Sequence, residues 1–284
     1  MGAGTTTIAF EGAEARRVDV EVQFTGGQPA FMVVGLADKA VAESRERVRA
    51  AFAAIGLSLP PGRVIVNLAP ADRPKEGAHF DLPIAIALMA AMDVIPPDAA
   101  ADHLAMGELG LDGSINATPG ALPAAMAASR LDLGFICPAD CGPEAAWAGG
   151  ELAILAAGSL IQLVNHFKGR QMLSRPVPGD LVDARPDLDL QDVKGQESAK
   201  RALEIAAAGG HNLLMTGPPG SGKSMMAQRL PGLLPPLSAE ELLDVSMIQS
   251  VAGLLERGRL TRSRPFRAPH HSASMAAMVG GGQR

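Results

Sequence analysis

A glycine-rich segment that leads into lysine and serine carries the clearest chemical signal in the sequence. It fits the pattern G-x-x-x-x-G-K-[S/T] without a mismatch, and the backbone N–H groups of such a loop cradle the phosphates of a nucleotide. Lys223 is predicted to be the catalytic cation that neutralises the β and γ phosphates, and the Ser224 hydroxyl is predicted to ligate Mg²⁺. The segment therefore predicts a binding site for ATP and Mg²⁺. It consists of Gly217, Pro218, Pro219, Gly220, Ser221, Gly222, Lys223 and Ser224.

Hydrolysis of a bound triphosphate needs more than this loop, because an acidic Mg²⁺ ligand must follow from a later apolar strand, usually as Asp-Asp or Asp-Glu. No such pair follows Ser224 in the sequence. Asp244 lies in a helical pattern and is expected on a solvated face. Since the sequence ends at Arg284 in the middle of a pattern, we expect a shortened product that lacks the rest of an ATPase domain.

Five arginines crowd the sequence after Glu256, and no acidic residue follows that position. Such a run suits the phosphate oxygens of DNA. Alternatively, the arginines pair with acidic groups of a neighbouring subunit or of the missing segment, and both alternatives stay open. The five are Arg257, Arg259, Arg262, Arg264 and Arg267. His270 and His271 lack further metal ligands beside them, which favours a structural or interface role.

The composition excludes several classes of protein. Hydrophobic residues make up 47% of the 284 residues and charged residues 19%, so a disordered or fibrous chain is excluded. Aromatic residues make up only 3%, which argues against a base-stacking platform. The longest apolar run, 82–92, is about half the ~20 residues of a membrane-spanning helix. We expect a cytoplasmic protein without a membrane partner, in which Cys137 and Cys141 are structural thiols.

The elements that must position the glycine-rich segment form two predicted domains. Residues 1–168 alternate strand and helix patterns, which predicts a mixed α/β domain. Within this domain, 38–55 is predicted to be an amphipathic helix with solvated arginines at 45, 47 and 49, and 81–92 an apolar helix in the centre.

Residues 169–190, with three prolines and little periodicity, are predicted to be a linker. The second domain, residues 191–284, is predicted to contain a helix over 193–208, a strand over 212–216 and a helix over 223–234. The glycine-rich segment thus follows a predicted strand and opens a predicted helix, the context that a phosphate-binding loop requires.

Several further motifs resemble the YifB/ComM group of magnesium-chelatase-like AAA+ ATPases, and the resemblance covers essentially the whole chain. The glycine-rich segment is shared with many other proteins, whereas the blocks 66–83 and 264–271 are specific to this group. The motifs are Gly35-Leu-Ala-Asp38, Glu43-Ser-Arg-Glu-Arg47, Val66-Asn-Leu-Ala-Pro-Ala71, Lys75-Glu-Gly77, Phe80-Asp-Leu-Pro83, Gly107-Glu-Leu109 and Arg264-Pro-Phe-Arg-Ala-Pro-His-His271.

The resemblance implies an N-terminal α+β domain with the fold of the Lon proteolytic domain, which is the ribosomal protein S5 domain 2-like fold. It implies that the start of a P-loop AAA+ α/β domain follows, and that the complete protein forms homo-hexameric rings. In ComM the ring is a DNA helicase that drives branch migration during natural transformation. By the same resemblance, 192–196 lies beside the adenine base, and the acidic Mg²⁺ motif of the family is missing here.

A Lon-like fold raises the hypothesis of proteolysis, which needs a serine at the head of the central helix and a lysine base. That helix head reads Phe80-Asp-Leu-Pro83 and the segment 119–123 contains no lysine, so we reject proteolysis. Three hypotheses of function stay open: an ATP-driven motor on DNA, an assembly motor like the magnesium chelatase subunits, and a nucleotide-binding module without hydrolysis. The Lon-like domain argues against the second, and the early end of the sequence supports the third.

Overall fold

The computed structural model describes residues 3–183 and 188–279, and these residues form two compact units. The first unit contains the described residues up to Leu181 together with Leu243–Leu260. The second unit contains the described residues from Val182 to Leu242 and those from Thr261 onward. The chain thus passes from the first unit to the second within the segment predicted as a linker, while the predicted domain boundaries themselves stay predictions.

A seven-stranded mixed sheet is the framework of the first unit. The strands of this unit are β1 (Ala3–Glu11), β2 (Glu14–Thr25), β3 (Ala30–Val34), β4 (Arg63–Ala69), β5 (His103–Ala105), β6 (Glu108–Leu109), β7 (Ile115–Asn116), β8 (Gly134–Pro138) and β9 (Ile154–Ala157). The spatial order of the large sheet is β3-β4-β2-β1-β5-β8-β9, and β6 pairs with β7 separately. The pairs β1–β2 and β2–β4 are antiparallel, whereas β3–β4, β1–β5, β5–β8 and β8–β9 are parallel. This confirms the mixed α/β fold.

The alternation of residue types along β2 explains which face of the sheet is buried. Val18, Val20 and Val22 are buried, whereas Arg17 and Glu21 are exposed. Successive side chains of a strand point to opposite faces, so this pattern places the valines toward the core. Between β2 and its neighbour β1, Val20 lies opposite Thr5 and Val18 opposite Thr7.

Helices accompany the sheet of the first unit, and one of them, Asp81–Ala91, is buried in the core of that unit. The helices are α1 (Lys39–Ala54), α2 (Asp81–Ala91), α3 (Pro97–Ala101), α4 (Ala121–Arg130), α5 (Gly142–Ala145) and α6 (Leu160–Phe167). Every residue of α2 from Asp81 to Ala90 is buried, which confirms the prediction of a central apolar helix. In α1 the predicted apolar positions Val41, Val48 and Phe52 are buried, so the predicted amphipathic helix is confirmed as well.

Cys137 and Cys141 are free, buried thiols in this unit. Burial raises the pKa of Cys141 to about 12, and burial likewise raises the pKa of Cys137. Both groups therefore stay protonated at neutral pH, and the Cys141 thiol donates to the carbonyl oxygen of Thr118 at 3.6 Å. This is the behaviour of structural cysteines.

From Val182 onward the regular elements of the chain are mostly helices. They are α7 (Glu197–Gly209), α8 (Lys223–Ala227), α9 (Leu230–Leu233), α10 (Ala239–Val251) and α11 (Met275–Val279), with a short 3-10 turn at Leu190–Asp192. Two short strands, β10 (Leu181–Val182) and β11 (Leu260–Thr261), pair with each other. Throughout 3–183 and 188–279, no helix is both long enough and apolar enough to cross a bilayer.

Two predicted elements of this region differ from the structure. The predicted strand over 212–216 is wrong, because this segment forms neither strand nor helix and Leu214 is 87% exposed. The described residues offer no neighbouring strand to this segment, and a strand without one leaves its backbone hydrogen-bonding groups unpaired. The predicted helix over 223–234 is broken into α8 and α9, because the ring of Pro231 would clash with the carbonyl group of Ala227.

Candidate nucleotide site

The backbone of the glycine-rich loop has a conformation that side chains disfavour. Gly220 has a φ of 79° and Gly222 a φ of 86°, both in the left-handed region where only glycine is free of strain. Gly222 is also the N-cap of α8, so the helix begins directly at Lys223. The predicted order of loop followed by helix is therefore present, and the two glycines permit the turn that produces it.

The ammonium group of Lys223 lies against the loop that precedes it. Its Nζ donates to the carbonyl oxygens of Gly217 at 2.8 Å and Pro218 at 2.9 Å, and to Oγ of Ser221 at 3.2 Å. These acceptors are neutral, and Lys223 forms no ion pair with any residue that the structure describes. An uncompensated cation held within a curved backbone is a suitable partner for a phosphate group.

A cavity of about 410 Å³ opens beside the loop. Its walls include Gly217, Ser221 and Lys223 of the loop, Thr216 directly before the loop, and Gln196 from the segment before α7. Ser224, the predicted Mg²⁺ ligand, is exposed at the start of α8. A larger cavity of about 610 Å³ in the same unit contains neither the loop nor Lys223, so the smaller cavity is the one with phosphate-binding chemistry.

A small hydrophobic cluster and the side chain of Arg229 hold the segment before α7 against α8. Leu190, Val193, Leu203 and Met226 are buried together. Arg229 donates from Nε to the carbonyl oxygen of Asp189 at 2.8 Å and lies 3.7 Å from the carboxylate of Asp192. No local sequence pattern predicts the contacts of Arg229, because the two residues of the hydrogen bond with Asp189 are 40 positions apart in the chain. They hold the entrance of α7 close to the helix that follows the loop.

The same segment reaches the loop itself through a side chain that the motif does not include. Nε2 of Gln196 donates to the carbonyl oxygen of Ser221 at 3.2 Å. The backbone of Gln196 is left-handed, with φ 57° and ψ 41°, and this conformation directs the chain into α7. The family resemblance implies only that Gln196 belongs to the segment beside the adenine base, and no residue pattern marks its contact with the loop.

Comparison with known proteins identifies the family. The family model "Magnesium chelatase, subunit ChlI" matches residues 189–284, and the model "Subunit ChlI of Mg-chelatase" matches residues 20–140. The protein YifB of Escherichia coli is 45% identical over 276 residues, which is 97% of this chain and 54% of YifB. The competence protein ComM of Haemophilus influenzae is 41% identical over 281 residues, which is 96% of this chain and 55% of ComM. The chain belongs to the YifB/ComM family of magnesium-chelatase-like proteins. It spans about half the length of the YifB and ComM relatives that it matches.

The arginines that the sequence suggested for DNA binding in this YifB/ComM family chain are divided between the two units. Arg257 and Arg259 belong to the first, and Arg262, Arg264 and Arg267 to the second. Nη2 of Arg264 donates to both carboxylate oxygens of Glu241, at 3.0 and 2.9 Å, and its Nε donates to the carbonyl oxygen of Pro235. The N–H of Ser238 and then Arg264 lower the pKa of the Glu241 carboxyl. Arg264 is therefore paired within its own chain, while a role of the five in DNA binding stays a prediction.

The neighbouring polar residues fit structural roles. Arg262 lies 3.9 Å from Asp183. Nδ1 of His270 is 2.7 Å from Oγ of Ser272, and the rings of His270 and His271 lie 4.0 Å apart. Asp244 is exposed on α10, which confirms the prediction of a solvated face.

In the N-terminal unit, the head of the central helix of this YifB/ComM family chain carries a buried carboxylate. Asp81 accepts from Nε of Arg47 at 2.5 Å, from the N–H of Leu109 at 3.1 Å and from Oγ of Ser44. The prediction that Arg47 lies on a solvated face is wrong, because its side chain is 19% exposed and reaches inward to Asp81. The two residues lie in different motifs of the family, and the structure gives these motifs a shared packing role.

Proposed function

We propose that this chain binds ATP with Mg²⁺ at the glycine-rich loop, and that the complete protein converts ATP hydrolysis into movement on DNA. The observation that carries the first part is the position of Lys223, whose ammonium group lies in the curve of the loop without an anionic partner among the described residues. Membership of the YifB/ComM family supports the assignment, since a model of a magnesium chelatase subunit matches the region of the loop.

Each part of the loop would contact a different part of the bound triphosphate and its Mg²⁺. The backbone N–H groups of 217–222 would surround the phosphate oxygens, and Lys223 would exchange its present carbonyl acceptors for those oxygens. The Ser224 hydroxyl would hold Mg²⁺, which supplies neutralisation of the charge that develops between the β and γ phosphates. The exposure of Ser224 and the neutral partners of Lys223 fit these roles.

Movement on DNA is the motor function that the relatives support best. One relative of 41% identity is named the competence protein ComM, and a DNA helicase is what the resemblance to ComM implies. Arg259 and Arg267 are exposed and form no ion pair among the described residues, so their charges are accessible to phosphate groups. A ring of identical subunits is the assembly that we propose for the complete protein, in keeping with its family.

A chelatase-like assembly motor is the second candidate, and the names of both matching family models favour it. The two motors differ in what stimulates them, since one responds to DNA and the other to a porphyrin-binding partner. A nucleotide-binding role without hydrolysis is the third candidate, in which ATP binds and no turnover occurs.

The deciding experiment measures ATP binding and turnover by the purified chain, with and without branched DNA. Lys223→Ala provides the background. Turnover that rises with DNA supports the DNA motor. Turnover that rises only with a porphyrin-binding partner supports the chelatase-like assembly motor. Binding without turnover supports the third candidate. Equal ATP affinity of the unmodified chain and Lys223→Ala would overturn the assignment of the loop.

A further inference from the structure

Gln196 is the point where the segment before α7 touches the phosphate loop. Its amide donates to the carbonyl oxygen of Ser221 at 3.2 Å. A Cβ atom on Gly222 would lie 3.2 Å from the same amide nitrogen, so a side chain at that position would press on the Gln196 amide. The contact therefore links Gln196 to the peptide group between Ser221 and Gly222. Both Gln196 and Gly222 have a left-handed backbone conformation.

The planarity of the peptide bond gives this contact a directional effect. In a trans peptide the C=O of one residue and the N–H of the next point in opposite directions. By holding the Ser221 carbonyl oxygen, Gln196 turns the N–H of Gly222 to the opposite side, away from itself. An amide that is already turned before a ligand arrives does not have to be ordered at the moment of binding.

The position of Gln196 is itself fixed from two sides. Val193, three residues earlier, and Leu203, about two helical turns later in α7, are buried with Met226 of α8. Arg229 holds the turn at Asp189–Asp192 through its guanidinium. The side chain of Gln196 is thus presented to the loop by the same core that anchors the helix after the loop.

We propose that Gln196 is a positioning residue for the phosphate loop, which sets the orientation of the Ser221–Gly222 peptide for binding a polyphosphate. The role rests on the proposed function, in which this loop binds the phosphates of ATP. It differs from recognition of the adenine base, which is what the family resemblance implies for 192–196. A residue that orders the loop affects every polyphosphate equally, whereas a residue that reads the base affects adenine nucleotides alone.

Gln196→Asn separates the positioning role from a structural one. Asparagine adopts the left-handed conformation more readily than glutamine, so the start of α7 is expected to be at least as stable, with an unchanged or higher melting temperature. Its shorter side chain cannot span the distance to Ser221. We expect roughly five-fold weaker binding of ATP, of GTP and of inorganic tripolyphosphate, the factor that corresponds to one lost hydrogen bond.

Two further variants complete the comparison. Gln196→Glu keeps the length of the side chain but replaces the donor with a carboxylate, and we expect it to weaken all three ligands more than Gln196→Asn does. Gln228→Asn is the matched control, because Gln228 is an exposed glutamine of the same unit whose side chain makes no hydrogen bond within 188–279. It is expected to leave binding unchanged.

Hydrogen–deuterium exchange of the nucleotide-free chain tests the contact without any ligand. We expect faster exchange across 217–224 in Gln196→Asn and no change in Gln228→Asn. Unchanged loop exchange would overturn the positioning role, and so would a loss of affinity for ATP alone with tripolyphosphate unaffected. If the unmodified chain binds neither ATP nor tripolyphosphate, the proposed function fails, and the exchange experiment still decides whether Gln196 orders the loop.

Discussion

The hydroxyl group of Ser250 donates a hydrogen bond to the buried carboxylate of Glu144, 106 residues earlier in the chain. The same carboxylate accepts the backbone N–H of Leu122 at 3.0 Å. The backbone of Ser250 takes part too, since its carbonyl oxygen accepts the N–H of Gly120 at 3.0 Å. Three helices of the first unit, α4, α5 and the end of α10, therefore meet at Glu144.

Replacement of Ser250 tests the strength of this junction. Ser250→Ala removes one donor from a buried carboxylate, and we expect it to lower the free energy of unfolding by about 1 to 3 kcal/mol. Urea denaturation measures the change. Ser129→Ala is the matched control, because Ser129 is exposed near the end of α4 and its replacement should change stability by less than about 0.5 kcal/mol. Equal effects of the two variants would contradict a role for the junction.

Burial raises the pKa of Glu144 above the ordinary value of 4.5, although the hydrogen bonds from Ser250, Leu122 and Ala121 oppose this effect. The folded protein then binds the proton more tightly than the unfolded chain does. Stability attributable to Glu144 is therefore highest below pH 4.5 and falls as the pH rises through the folded pKa. In Glu144→Gln this fall should vanish, so the variant should gain stability relative to the unmodified chain as the pH rises. Urea denaturation at several pH values measures it, and parallel pH profiles would refute the shift.

Replacing only one partner of the buried ion pair between Arg47 and Asp81 should strongly lower the free energy of unfolding. Asp81→Asn leaves the partly buried guanidinium of Arg47 without its buried anion, and only the half-exposed carboxylate of Glu43 remains, at 3.8 Å. We expect a loss of about 3 to 5 kcal/mol in the free energy of unfolding. Thermal or urea denaturation would measure this. Glu46→Gln breaks the exposed pair of Arg45 and Glu46, which are 3.3 Å apart, and should cost less than about 1 kcal/mol. A loss below that value in Asp81→Asn would show that the buried pair is not required.

Lys223→Ala should weaken ATP binding without unfolding the protein. Loss of one charged donor to phosphate corresponds to roughly a ten- to hundred-fold increase in Kd. Fluorescence titration with a labelled nucleotide measures the affinity, and a melting curve reports the fold. Lys39→Ala is the matched control, because the side chain of Lys39 is 92% exposed in the other unit. Comparable affinities for the two variants would remove Lys223 from the site.

The arginines differ in what they are free to bind. Arg267→Ala is expected to weaken DNA binding and to reduce the slope of log Kd against log salt by about one, the value for one lost phosphate contact. Arg264→Ala should change that slope by less, because Arg264 already pairs with Glu241. Titrations of the chain with labelled DNA at several salt concentrations measure both slopes. A larger effect of Arg264→Ala would reverse the assignment.

Local patterns predicted the elements whose formation depends on their own residues. The uniform apolarity of 81–92 was sufficient to predict the central position of α2. The glycine pattern likewise predicted a loop followed directly by a helix at Lys223. In each case the signal lies within a few consecutive residues.

Contacts between distant residues could not be predicted in this way. Arg47 resembles any other charged residue on an amphipathic helix until Asp81 is placed 34 positions later. Gln196 and Ser221 likewise lie 25 positions apart in the sequence, and no local pattern joins them. The error at 212–216 has a similar origin, because a strand depends on its neighbours and apolar residues alone do not create it.

The first unit is discontinuous along the sequence, since Leu243–Leu260 returns to it after the glycine-rich loop. Besides the junction at Glu144, the indole N–H of Trp147 donates to the carbonyl oxygen of Gly258 at 2.8 Å. A fragment that ends at Leu181 would leave the Glu144 carboxylate without the Ser250 hydroxyl and the Trp147 indole without its carbonyl acceptor, and should therefore be less stable than the intact unit. A fragment suited to separate study would instead join Leu243–Leu260 to the residues up to Leu181 through a short flexible linker and omit the glycine-rich loop.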